Sequence, residues 1–212
     1  NDGIYDPRAI KEFVSFTFKN WQKPAPAFVL LFGDTSHLMD KKPAKQDQKY
    51  KSYVPTMMEF TRTWGMTSSD NYFVAVHGND DLPDMYIGRL PAATIEEAEN
   101  LVNKTIDYEL HSVIDDWRRQ VCLLSGSDEG LMQMSMKLYE NYIPPRIVTN
   151  FLNTDPESPY YGTTETLANY FNNGQLLLTF LGHGGGAVYL DDDLFLTRDI
   201  ALLNNKNKYP VI

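Results

Sequence analysis

The chain has 212 residues, a formal net charge of −9 at pH 7 and a pI near 4.9. Hydrophobic residues make up 42% and charged residues 22%, proportions of a soluble globular domain that count against disorder, and no apolar run approaches the roughly 18 residues that would span a bilayer. The acidic balance counts against nucleic acid as a partner, because phosphate binders gather Lys and Arg on one face, and the single cysteine, Cys122, rules out an internal disulfide or a thiolate metal cluster.

A single α/β unit over 1–212 is the expectation, with an N-terminal part of about 1–110 and a second part of about 111–212 as its natural division. No charged and then apolar leader opens the sequence, so an export signal would lie outside it. Lys208-Tyr-Pro-Val-Ile212 reads as the start of a buried strand, so the polypeptide is expected to continue.

Asp6-Pro7 is a helix start, and Ile10, Phe13, Val14, Thr17 and Trp21 keep a 3.6-residue period, which predicts a helix over roughly 7–21. Ala27 to Phe32 reads as a buried strand ending in Gly33-Asp34. The next forty residues or so read as irregular, with Lys41, Lys42 and Lys45 in a solvated loop. Tyr72–Val76 and Met85–Ile87 are strand candidates around a turn-rich segment, as a hairpin or as the flanks of a loop. Thr94-Ile-Glu-Glu97 is a capping box for a helix whose stripe runs Ile95, Ala98, Val102, Ile106 and Glu109.

Val121–Leu124 is the next strand, ending in Ser125-Gly-Ser-Asp128, and Leu131, Met134, Leu138 and Tyr142 follow at helical spacing. A strand over Ile147–Phe151, a helix from Thr163 to the stop at Asn173-Gly174, and a buried strand over Gln175–Leu181 come next. That strand runs into Gly182-His-Gly-Gly-Gly186, after which Thr197 caps a short helix through Leu203 and Tyr209–Ile212 opens another strand. Strands and helices alternating at this spacing predict a largely parallel sheet covered on both faces, with ligands at the carboxyl ends of the strands.

His183 is the sharpest chemical feature, an imidazole at the end of a buried strand among Gly182, Gly184, Gly185 and Gly186. Acyl transfer needs a general base beside uncovered amides that can receive an oxyanion, and this segment supplies both. The same glycines could equally serve only to reverse the chain. Cys122 lies inside an apolar strand and reads as a buried thiol rather than a nucleophile. Asp80, Asp81 and Asp84 form one acidic loop and Asp191-Asp-Asp193 another. Neither has a known calcium-ligand spacing, and solvated turns are the preferred reading. His37, His77 and His111 have no evident partners.

Leu181-Gly-His-Gly-Gly, followed about 25 residues later by Tyr209-Pro-Val-Ile212, resembles the peptidase family of the gingipains and of the type IX secretion sortase. Gly78-Asn-Asp80, Pro83-Asp-Met-Tyr-Ile-Gly-Arg-Leu-Pro-Ala92, the helix ending in Ile106-Asp-Tyr-Glu109, Phe28–Asp34 and Asp70-Asn-Tyr extend the resemblance over nearly the whole chain. It implies a caspase-like α/β/α three-layer sandwich with a mainly parallel sheet. It also implies His183 as catalytic base, the Gly184 N–H in the oxyanion hole, and a nucleophilic cysteine about four residues beyond Ile212.

An acid that orients the histidine is expected after Val121–Leu124. Asp128 is the candidate, with Glu129 behind it, and capping of the following helix is an equally good role for Asp128. The resemblance further implies a peptide or protein substrate, no required cofactor, calcium as a structural ion such proteins can carry, a secreted or outer-surface bacterial setting, and secretion-machinery or cell-surface partners. Two other functions fit parts of the pattern. One is a non-catalytic scaffold that keeps the peptidase fold. The other is an esterase, since His-Gly-Gly-Gly also resembles a lipase oxyanion loop, but no Gly-x-Ser-x-Gly accompanies it.

Overall fold

The computed structural model describes residues 5–35, 52–63, 65–78, 80–112, 114–185, 188–189 and 193–212. His37, Lys41, Lys42, Lys45, Asn79, Gly186, Asp191, Asp192 and the side chain of Glu129 lie outside the described residues. The chain divides into two compact units, Asn1–Lys104 and Thr105–Ile212.

In the first unit, helix α1 (Pro7–Asn20) starts as its cap predicts, the Asp6 carboxylate accepting from the Arg8 N–H at 2.9 Å. Strand β1 (Phe28–Phe32) follows, but it is not the buried strand expected: Phe28, Leu30 and Phe32 are exposed and only Leu31 is buried. The segment read as irregular contains an antiparallel hairpin, β2 (Met57–Thr61) with β3 (Gly65–Ser69). It escaped pattern reading because no residue of either strand is fully buried and the cross-strand pair Phe60 and Met66 is exposed, so no alternation of apolar and polar residues marks it. Tyr72–Val76 is not a strand. Asn71–Phe73 forms a 3-10 turn whose amides are satisfied locally, Phe73 N–H to Asp70 carbonyl and Val74 N–H to Asn71 carbonyl, each at 3.0 Å. Phe73 and Val74 enter the core from that turn, both fully buried.

Strand β4 (Tyr86–Leu90) therefore has no hairpin partner just before it and pairs in parallel with β1, Phe28 level with Tyr86 and Phe32 with Leu90. The β4 arginine explains much of the local motif. Arg89 Nε and Nη2 reach the Asp70 carboxylate at 2.8 and 2.7 Å. Its Nη1 donates to the carbonyls of Gly33 and Val54, both at 2.9 Å, and Nη2 also reaches the Pro55 carbonyl at 3.2 Å. One guanidinium thus fastens β1, β4, the approach to β2 and the Asp70 turn. Partial burial raises the Asp70 pKa, but the Arg89 and Thr56 hydrogen bonds and the Arg89 charge outweigh it, leaving the carboxyl below its usual range. Asp84, in the same motif, accepts from the Val76 and His77 amides at 2.8 Å each, bonds that lower its own pKa.

Helix α2 (Ile95–Ile106) has the predicted start, with Glu97 N–H donating to Thr94 Oγ1 at 3.1 Å. Its apolar stripe stays open, since Ile95, Val102 and Ile106 are all exposed.

The second unit is built on β5 (Gln120–Ser125), β6 (Val148–Asn153) and β7 (Leu177–Leu181), all parallel, in the order β6-β5-β7. Side chains alternate across this sheet. Cys122, Leu124, Leu152 and Leu178 pack with Leu167 and Phe171 of α4 (Thr164–Asn173). On the other face Phe151 meets Tyr139 of α3 (Glu129–Tyr142) edge-on, and Ser125 Oγ meets the Met132 sulfur. Helices therefore cover both faces, as the alternation predicted. The inward side of α3 carries Ser135, fully buried, whereas Met134 and Tyr142 of the expected stripe are exposed. The short helix after Thr197 is 3-10, Thr197–Leu202. Gly174 ends α4 at φ +89, and an added Cβ would sit 2.7 Å from Trp117 Cβ, so both conformation and space require glycine there.

Candidate active site

The carboxyl edge of the second unit's sheet gathers most of the predicted residues. Leu181 ends β7 level with Ser125, the end of β5, so the loops carrying His183 and Asp128 leave the sheet side by side. The Gly126 N–H joins them by donating to the Leu181 carbonyl at 2.9 Å. Val211 bridges in parallel to Leu177, with Leu178 N–H donating to the Val211 carbonyl at 2.8 Å, so the segment read as a new strand lies along the free side of β7.

His183 is exposed. The glycines after it differ in role. Gly185 N–H donates to the Val188 carbonyl at 2.8 Å and closes a turn, and Tyr189 N–H donates to the Phe195 carbonyl at 2.9 Å. The expectation that every amide in this run is uncovered is therefore corrected: Gly185 spends its donor inside the turn. Gly184 is exposed, and its N–H finds no acceptor among the described residues. A Cβ on Gly184 would lie 3.3 Å from the carbonyl oxygens of both Val188 and Tyr189, a tight fit that the turn could take only by shifting a few tenths of an ångström. Beside Gly184 and Gly185 opens a cavity of about 720 Å³ walled by Phe180, Tyr189, Phe195, Ile200 and Leu203, with no charged side chain in its described lining.

Asp128 is exposed and is the N-cap of α3, its Oδ1 accepting from the Gly130 N–H at 2.9 Å. Among the described residues no hydrogen bond joins its side chain to that of His183. The capping role is thus visible, and the second carboxylate oxygen remains for another partner.

Cys122 is fully buried in the central strand, its side chain among Leu124, Leu152 and Leu167. Burial pushes the thiol pKa up to about 12, the reverse of what a nucleophilic thiol requires. A thiol reagent added to the native chain is accordingly expected to leave Cys122 unmodified, and denaturant should release one rapidly reacting thiol. A colour-forming disulfide reagent measures this.

Among the described residues no three His, Cys, Asp or Glu side chains converge as a metal set. Asp84 is occupied by two amides, Asp80 Oδ1 accepts from Leu82 N–H at 3.1 Å, and Asp80 and Asp81 share their cleft with Arg8, Lys11 and Lys19. No helix among the described residues is long and apolar enough to cross a membrane.

One contributor to this edge was not visible from the sequence. Asn153, at the end of β6, is 2% exposed and donates to the Gly126 carbonyl at 2.7 Å. Asn-Thr-Asp-Pro reads as turn chemistry, and only the one-residue register of β6 against β5 turns Asn153 inward.

A fold of this kind is known from solved proteases. The chain superposes on the Arg-specific cysteine proteinase gingipain R with a TM-score of 0.66 at 22% identity, covering 96% of this chain and 43% of that one. A second structure, described as a protease, gives 0.68 at 24% identity, covering 97% of this chain and 42% of that one. Mixed helices and parallel strands with these neighbours define an α/β fold that fits the caspase-like class. A Lys-gingipain of Porphyromonas gingivalis is 27% identical over 195 residues, 87% of this chain and 10% of the relative's length. The model of Peptidase family C25 matches residues 1–212, and the chain belongs to that family. It spans about a tenth of the length of the Lys-gingipains it matches.

Proposed function

We propose that this chain carries the general base and a donor of the oxyanion hole of a cysteine-type endopeptidase acting on peptides or proteins, the nucleophile being a cysteine on polypeptide that follows Ile212. The observation that carries the reading is an exposed His183 and a Gly184 N–H with no acceptor among the described residues, both at the carboxyl edge of β7, alongside the strand opened by Val211. Val211 is level with Leu177, so a strand continuing in that register comes level with Leu181 four residues further on, beside the imidazole.

The chemistry then runs as follows. His183 takes the proton of the cysteine thiol, and the sulfur attacks the scissile carbonyl carbon. The Gly184 N–H donates to the resulting oxyanion. Collapse breaks the C–N bond, the leaving amine takes the proton from the imidazolium, and a thioester remains. Water, deprotonated by the same imidazole, cleaves the thioester and returns the thiol. An amine in place of water would turn the second half into transpeptidation.

Asp128 is proposed to orient the imidazole through its uncommitted oxygen while capping α3. Asp128→Asn separates the two roles, because asparagine caps a helix about as well but carries no charge. The variant is expected to melt within a few degrees of the parent (about the effect of less than 1 kcal/mol) and to lose roughly tenfold or more in kcat in the full-length protein. A thermal melt and a peptide assay measure these. Equal kcat would leave Asp128 a cap alone.

The direct test is covalent capture: a peptide carrying a thiol-directed acyl electrophile should modify the full-length protein at one cysteine. No capture, with an Ala, Ser or Gly at that position, would favour the scaffold.

A further inference from the structure

One buried amide ties the carboxyl edge of the β6-β5-β7 sheet together. Asn153 Nδ2 donates to the Gly126 carbonyl at 2.7 Å and to Ser125 Oγ at 2.8 Å, and its Oδ1 accepts from the Asp155 N–H at 2.9 Å. Gly126, itself buried, passes the connection on through its N–H to the Leu181 carbonyl at 2.9 Å. Gly126 lies two residues before Asp128, and Leu181 two before His183. A single side chain on β6 thereby fixes the loop of Asp128 and, through that loop, the strand end from which His183 projects.

This amide is not needed to pair the strands. The backbone ladder between β5 and β6 runs from Gln120 level with Val148 to Ser125 level with Asn153, and Thr154 N–H extends it to the Ser125 carbonyl at 3.3 Å. What the side chain adds lies beyond the ladder, where the chain has left the sheet and must be held in one direction. With 2% exposure, Asn153 works in a low-dielectric setting where such bonds are strong and where their loss leaves buried groups unpaired.

We infer that Asn153 is a positioning residue for the reactive edge, holding Gly126 so that the His183 turn and the Asp128 loop keep one relative placement. The inference rests on the reading of His183 as the base. Reactive groups must be held to within about 0.5 Å, and displacement by about 1 Å costs on the order of 10²-fold in rate.

The test uses the full-length protein. Asn153→Asp keeps the shape and the acceptor toward Asp155 but sets a carboxylate oxygen against the Gly126 carbonyl. It is expected to lower kcat on the order of 10²-fold while KM stays within about threefold, and to speed amide exchange, read by mass spectrometry, in the segment 125–128. Ser125→Ala removes the hydroxyl partner of the amide and leaves its bond to the Gly126 carbonyl and the longer contact with the Ser125 carbonyl at 3.5 Å, so it is expected to keep kcat within about threefold and exchange near the parent's. If Asn153→Asp fails to fold, Asn153→Ala is read in the same way. Equal losses of kcat in the Asn153 and Ser125 variants, or unchanged exchange at 125–128 in the Asn153 variant, would overturn the inference. Exchange is measured without turnover. A parent protein as inactive as its His183→Ala variant would therefore sink the reading of His183 while exchange still decided the role of Asn153.

Discussion

His183→Ala in the full-length protein is expected to lower kcat/KM for a peptide substrate by about 10³-fold or more while leaving the melting temperature within a few degrees. The two halves of this expectation have separate causes. The activity falls because no other titratable group is proposed at the end of β7 to take the thiol proton, and an un-ionised thiol is a weak nucleophile at neutral pH. The stability holds because the imidazole is exposed, and removing an exposed side chain typically changes stability by well under about 1 kcal/mol. A peptide assay and a thermal melt read both. Parent-like turnover would remove His183 from the chemistry, and a collapsed melt would mark it as structural.

The largest stability effect is expected from Arg89→Met in the first unit, a loss of about 3 kcal/mol or more. Methionine fills much of the space of the arginine stem but none of its donor positions. The Gly33, Val54 and Pro55 carbonyls lose their partner, and Asp70, with a side chain only 26% exposed, is left beside an apolar group. Residual solvent around Asp70 keeps the loss at the low end of the range for broken buried pairs.

The same pair has a pH signature. The Asp70 pKa is lower folded than its ordinary value of 3.8, so its contribution is complete above that value and is lost as pH falls through the folded pKa. Parent stability should therefore drop below about pH 4, and Asp70→Asn should flatten that part of the profile at a lower plateau. Urea melts at several pH values measure it. A profile of the same shape in both proteins would remove Asp70 from the acid response.

Elements whose signal is local were legible. Asp6-Pro7, Thr94 with Glu97, and Asn173-Gly174 each marked a helix end that the structure shows, because caps are decided by two or three neighbouring residues. The strands under β5 and β7 were legible for another reason: strands covered by helices on both faces write near-continuous apolar runs, here Val121–Leu124 and Leu176–Leu178. What failed was non-local or two-sided. The β2–β3 hairpin buries no residue fully, and Tyr72–Val76 looks like a strand until Asp70 and Asn71 satisfy its amides as a turn. Nothing near Tyr86 announces that its partner is Phe28.

The candidate site divides in the same way. His183 and its glycines sit on one loop and stand out, and Cys122 could be set aside by its apolar neighbours. The difference between Gly184 and Gly185 depends on a turn closed by Val188, and the importance of Asn153 depends on strand register, so neither was open to pattern reading. Arg89 belongs to a motif that was visible, but its partners come from Gly33, Val54, Pro55 and Asp70, brought together only by folding.

The most direct measurement is mapping of the cysteine captured when the full-length protein is treated with a peptidyl acyloxymethyl ketone, in the parent and in His183→Ala. A single adduct on a cysteine about four residues past Ile212, lost in His183→Ala and absent from Cys122, is the predicted result. An adduct on Cys122, or one formed equally well without the imidazole, would contradict it.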